Sequence, residues 1–91
     1  MGAAMPCALK AIAESPRRAI LRSLRFGALP RTDLAEELAH VPEPSLAEHL
    51  RVLRRAGLLH ERRGAGGPSY LLARGRVHEL AVRLRTVVAE G

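Results

Sequence analysis

The stretch Pro42 to Arg63, PEPSLAEHLRVLRRAGLLHERR, limits what this chain can fold into more than any other part of it. Read as a helix from Pro44 to Ala56, it sets Leu46, Leu50 and Leu53 at i, i+4 and i+7 on one face, with Ala56 beside them. Glu48, Arg51 and Arg55 fall on the opposite face. Gly57 stands where a helix C-terminus favours a residue free to adopt positive φ. Leu58 and Leu59 open a short segment that closes on Arg62-Arg63, ahead of the tip Gly64-Ala65-Gly66-Gly67-Pro68. Leu59 to Arg63 is therefore expected to pair with Ser69 to Ala73 across that tip.

The segments around this core supply more helices. Ala8 to Ala13 reads as a short first helix with Leu9 and Ile12 pointing inward and Pro6 limiting its start. Ser15-Pro16 reads as an N-cap followed by proline at the first helical position of a second helix, Arg17 to Phe26, ended by Gly27. Ile20, Leu21 and Leu24 line its inner face. Arg18, Arg22 and Arg25 share the outer face, which reads first as a solvated surface and second as a phosphate-contacting one. Thr32 is placed to cap a third helix, Asp33 to Ala39, whose Leu34, Ala35 and Leu38 face inward. His40 is expected to close it in the left-handed region, which histidine tolerates better than most side chains. A helix, a short turn and a second helix over residues 32–57 form a helix-turn-helix, and residues 58–74 form its wing. The expected class is mainly α with a β-hairpin, a winged helix-turn-helix in the order α-α-α-α-β-β-α, spanning residues 1–91 as a single domain.

The last helix, Arg76 to Ala89, carries Val77, Leu80, Ala81, Leu84, Val87 and Val88 as a stripe, with Glu79 and Arg83 spaced to pair on its outer side. The stripe arrives after the three-helix core is complete and needs another surface to cover it. Leu9, Ile12 and the same surfaces of a second copy are available, so residues 8–13 and 76–89 are expected to form a homodimer seam. A domain of 91 residues buries a modest share of its surface, which also favours a subunit partner.

The spelling LAEHLRVLRRAGLL followed by an arginine pair and glycine resembles the ArsR family of small bacterial transcriptional repressors. The likeness runs from about Leu9 to Leu84; SPRRAIL is similar to the start of that family's second helix, and Tyr70 stands at a usual aromatic position. It implies a DNA-binding regulator whose recognition helix enters the major groove by its N-terminal part. Many such relatives sense metals. The stretch ALPRTDL has no cysteine where one of their sites begins, and the last helix offers only the adjacent His78-Glu79, which point apart. His40, His49 and His60 have no ligand-pair spacing, so neither metal nor cofactor is expected. His49, at the edge of the apolar face, reads as a hydrogen-bonded structural residue as well as a member of the reading helix.

Charge and composition narrow the partners. The formal charge is +6, from 15 Lys plus Arg against 9 Asp plus Glu, which favours a polyanion unless the arginines merely reflect coding bias. Phe26 and Tyr70 are too few for a single-strand stacking platform, so duplex DNA is the expected nucleic acid. The single Cys7 excludes an intrachain disulfide and fits a reducing cytoplasm; no secretory leader or membrane span is apparent. Asp33 is the only aspartate, the serines lie in no nucleophile motif, and no enzyme is expected.

The reading head is unusual. Its outer positions hold Pro42, Glu43, Pro44, Ser45, Ala47 and Glu48, with five acids and no Lys or Arg from Asp33 to Leu50. Candidate DNA contacts are Glu43, Ser45, Glu48, His49, Arg51, Arg54 and Arg55 on the helix and Arg62 and Arg63 on the wing. Glutamate can accept a hydrogen bond from cytosine N4, yet it repels phosphate. Three readings follow: a specific repressor with altered base preference, a wing-dominated weak binder, or a winged-helix module whose acidic helix face meets a protein partner.

Overall fold

The computed structural model describes residues 4–90, with side chains from residue 7 to residue 86. The elements are α1 (Ala4–Ala11), α2 (Ser15–Ser23), β1 (Leu29–Pro30), α3 (Arg31–Glu37), α4 (Glu43–Arg55), β2 (Leu59–Gly64), β3 (Gly67–Leu72) and α5 (Arg74–Glu90). The winged helix-turn-helix order is as expected, with one addition: β1 pairs with β3, so the wing is a three-stranded antiparallel sheet in the order β1-β3-β2.

The core gathers around α4. Leu46, Leu50 and Leu53 are buried, as their spacing requires, and join Ile20 of α2 and Leu24 just after it, Leu34 and Leu38 of the α3 segment, and Leu58, Leu59 and Tyr70 of the wing. No polar or charged residue is buried among the described residues. Cohesion therefore comes from apolar burial, worth about 1.5–3 kcal/mol for each large side chain removed from water.

Helix boundaries differ from the sequence expectation for identifiable reasons. Helix α1 starts at Ala4 rather than Ala8 and includes Pro6 in its first turn, where backbone N–H groups have no intrahelical acceptor and proline costs little. Its inward residues are Ala8 and Ala11, both fully buried, while Leu9 points outward and Ile12 is half-buried. Small side chains let α1 lie close to α4 and α5, a contact that leucine would hold apart. Helix α2 begins at Ser15, its N-cap is Glu14, and no side-chain cap bond forms; it stops at Ser23 and passes through a turn to Gly27, whose φ is +143°. The N-cap of α3 is Pro30, not Thr32. His40 does not take the left-handed region, because Leu38 ends the helix at φ −112° and the Val41 amide then donates to the Leu38 carbonyl at 2.8 Å. Glu79 lies 3.7 Å from Arg76 rather than pairing with Arg83.

Candidate nucleic-acid interface

The candidate interface lies where α4 hands the chain to the wing. Leu53, Arg54, Arg55 and Ala56 close the helix, and Gly57 follows at φ +79°. The Gly57 amide donates to the Arg54 carbonyl at 3.0 Å and the Leu58 amide to the Leu53 carbonyl at 3.0 Å, the paired bonds of a Schellman stop. Leu53 and Leu58, both fully buried, supply its apolar contact. A side chain at Gly57 would adopt a disfavoured φ and approach the Arg76 guanidinium at 3.8 Å. This turn aims β2 back along α4.

Strand alternation then separates the wing's two arginines. The register Leu59↔Leu72, Glu61↔Tyr70 and Arg63↔Pro68 puts Glu61 and Arg63 on the face shared with buried Leu59 and Tyr70, towards α4. Arg62, opposite Ser69, belongs to the other face and is exposed. Between α4 and the wing lies an open groove of about 340 Å³, bounded by Arg31, Arg51, Arg54, Glu61, Arg63 and Tyr70.

Each arginine of this groove has a carboxylate partner. Arg54 donates to one oxygen of Glu61 at 2.8 Å, and Arg63 lies 3.2 Å from the other. Arg31 pairs with Glu43 from the start of α4, and Arg51 pairs with Glu48 one helical turn back. The hydrogen bond from Arg51 holds the Glu48 carboxyl below its ordinary range, with the charges of Arg51, Arg17 and Arg55 acting in the same direction. The two glutamates expected to repel phosphate thus serve as partners to neighbouring bases.

The sequence candidates divide accordingly. Arg51, Arg54 and Arg63 come together at the groove, while Arg55 and Arg62 face away from it and are exposed. Glu43, Ser45 and Glu48 are exposed along the N-terminal half of α4. His49 is half-buried, and its Nδ1 accepts a 3.1 Å hydrogen bond from Arg17 Nε, which makes it a strut between α2 and α4. Sequence reasoning missed Arg17, Arg31 and Glu61 at this site. Glu61 had a signal, since it shares a strand face with Arg63 two residues on. Arg31 and Arg17 had none, because only the fold brings them to α4.

On the opposite side, α1 packs against α5. Of the seam candidates, Leu9 (42 % exposed) and Leu84 (36 %) are open to solvent; Val82 (41 %) is exposed too, but two residues from Leu84 it points away from the stripe. Leu80 is buried, while Val77 and Ile12 are half-buried against this chain's own core. Part of the stripe is therefore covered without a second copy. The side chains of Val87 and Val88 lie outside the described residues. Among the described residues no group of three or more His, Cys, Asp and Glu could hold a metal ion, and no helix is long and apolar enough to cross a membrane.

A helix-turn-helix, a three-stranded wing and a basic groove between them define the winged-helix class of transcriptional regulators. The family profile described as "Helix-turn-helix domain" matches residues 12–62, more than half of the chain. The chain belongs to this helix-turn-helix family, and its fold is that of the ArsR-like winged-helix regulators. It is similar to HlyU from Vibrio cholerae N16961, with 32% identity, a TM-score of 0.73, and coverage of 91% of this chain and 92% of that one. It also resembles an ArsR-like transcriptional regulator from Rhodococcus sp. RHA1, with 24% identity, a TM-score of 0.80, and coverage of 97% and 82%. The transcriptional repressor BigR from Xylella fastidiosa has 24% identity, a TM-score of 0.73, and coverage of 90% and 83%. No curated protein matches the chain significantly.

Proposed function

We propose that the protein is a bacterial, cytoplasmic transcriptional repressor that binds duplex DNA as a homodimer, without catalysis, metal or cofactor. The observation that carries this reading is the groove between α4 and the wing, where Arg31, Arg51, Arg54 and Arg63 gather beside the helix that winged-helix proteins lay in the major groove. Arg55 and Arg62 extend the basic surface on either side. Phosphate contacts from these residues supply most of the affinity, so binding is strongly salt-dependent. Glu43, Ser45 and Glu48 occupy the base-facing end, where a carboxylate reads cytosine N4 and disfavours other edges.

The dimer in this reading forms through α1 and α5. Leu9 and Leu84 are the open apolar residues there, beside the partly covered Ile12 and Val77 and the buried Leu80, and Val87 and Val88 extend the same sequence stripe. Two α4 helices then address successive major-groove faces about 34 Å apart on a near-palindromic site. The repressor sense follows the description of BigR.

The test is retardation of duplex fragments from the protein's own locus at about 50 mM salt, the range in which phosphate contacts are strong. A specific complex on an inverted repeat is expected. Absence of any duplex binding would overturn the reading in favour of a protein-contact module, whose partner would be lost when Glu43 and Glu48 are neutralised. Sedimentation at micromolar concentration should show a dimer, and Leu84→Glu should give a monomer, because a charge buried in an apolar seam costs several kcal/mol.

A further inference from the structure

We propose that the groove between α4 and the wing is a site for a phosphate group, and that the protein's own Glu61 carboxylate occupies it until phosphate displaces it. Glu61 is the only acid that lines the groove, and its side chain is 13 % exposed, well covered for a charged residue on a wing. Its two oxygens take different arginines, Arg54 at 2.8 Å and Arg63 at 3.2 Å, one from the helix and one from the hairpin. A tetrahedral phosphate offers the same two acceptors with more charge and further oxygens to spare.

A second observation shows that the carboxylate fills the site incompletely. Arg31 reaches the groove with its side chain 21 % exposed, and its terminal nitrogen is taken by Glu43. Its Nε–H is buried with no acceptor, the one such side-chain atom among the described residues. A buried donor without a partner is costly, and it points to an acceptor present in the working state. A phosphate between Arg31, Arg54 and Arg63 would supply that oxygen. Glu61 would then release both arginines to the phosphate. Glu61 thus lowers affinity for any phosphate and leaves the arginines paired in the free protein.

Assigning that phosphate to a duplex backbone rests on the DNA-binding reading above; the anion site itself does not. Inorganic phosphate is therefore the primary probe, followed through the Nε–Hε NMR resonance of Arg31, identified by its loss in Arg31→Lys. Phosphate should shift this resonance in the wild type and bind about tenfold more tightly in Glu61→Gln, which removes a competing charge at contact distance. Glu79→Gln removes the same charge on α5 and should change nothing. No shift in either protein, or equal tightening in Glu79→Gln, would overturn the site. In the duplex arm, Glu61→Gln should raise affinity by a similar factor and steepen the salt dependence by about one unit for each further phosphate neutralised. Phosphate tightening with unchanged duplex affinity would overturn the backbone assignment. Phosphate tightening with no duplex bound by any variant would support the anion site while removing the DNA-binding reading.

Discussion

The arginines of the α4–wing groove and those of the outer face of α2 carry the same charge and are held in opposite ways. At the groove, Arg31, Arg51, Arg54 and Arg63 each meet a carboxylate. On α2 and the turn that follows it, Arg18, Arg22 and Arg25 have no carboxylate partner among the described residues. Arg18 donates to the Ile12 and Ala13 carbonyls at 2.7 and 3.1 Å, where the chain leaves α1. Arg25 donates to the Arg22 carbonyl, lies 4.4 Å from the ring centre of the exposed Phe26, and offers its own carbonyl to Arg74. Arg51, Arg54 and Arg63 are half or more exposed, and an ion pair made by such a side chain is weak, so a phosphate can replace the glutamate. A carbonyl at a helix end has no such substitute, and an arginine bound there is committed to structure. A formal charge of +6 does not distinguish these uses.

The largest effect that would break this contrast is on duplex affinity. Arg54→Ala combined with Arg63→Ala should weaken binding to all sequences by about tenfold or more at low salt and flatten the salt dependence by about two units. Arg22→Ala combined with Arg25→Ala should leave both nearly unchanged. Equal losses in anisotropy titrations over a salt series would erase the distinction between the two regions.

Glu48→Arg sharpens the groove side of the comparison. If Glu48 only neutralises Arg51, reversing its charge should raise affinity for every duplex. If its carboxylate also accepts from a cytosine, the change should instead remove about 1–3 kcal/mol of discrimination at one base pair. Competition with singly substituted duplexes separates the two results.

A smaller effect is expected on α2. Arg18→Ala should leave duplex affinity alone and lower folding stability by about 0.5–1 kcal/mol, the usual worth of a cation at the end of a helix. Thermal denaturation would show a drop of about 2–8 °C; a change in DNA binding without one would place Arg18 at the interface.

The smallest concerns pH. The Glu48 carboxyl titrates below its ordinary range because Arg51 hydrogen-bonds it. Its stabilising contribution is present above the unfolded-state value and is lost as pH falls through the depressed folded value. Because the carboxyl is exposed, the change in stability should be slight. The readable outcome is its NMR titration midpoint, which should move upward in Arg51→Ala.

Much of the fold is legible in the chain alone. The leucine spacing of α4, the stop at Gly57 and the two wing strands follow from periods of 3.6 and 2 interrupted by glycine, which are local properties of the chain. The strand β1 was not legible, because Leu29-Pro30 is two residues long and is a strand only through its pairing with β3. The inward face of α1 was misassigned for a related reason. Leu9 with Ile12 and Ala8 with Ala11 are both spaced i, i+3, and hydrophobicity favours the first pair. The close approach of α1 to its neighbours selects the second.

The site divides along the same line. Sequence by itself determined the winged helix-turn-helix, the arginines of α4 and the wing, and the acids at the head of α4, since each depends on residue type and short-range spacing. Only the tertiary structure decided which charges meet. Arg31 finds Glu43, Arg17 finds His49, and Arg54 crosses to Glu61. Electrostatic partnership depends on distance in space, which falls to a few ångströms between residues far apart in the chain only after the apolar core has closed.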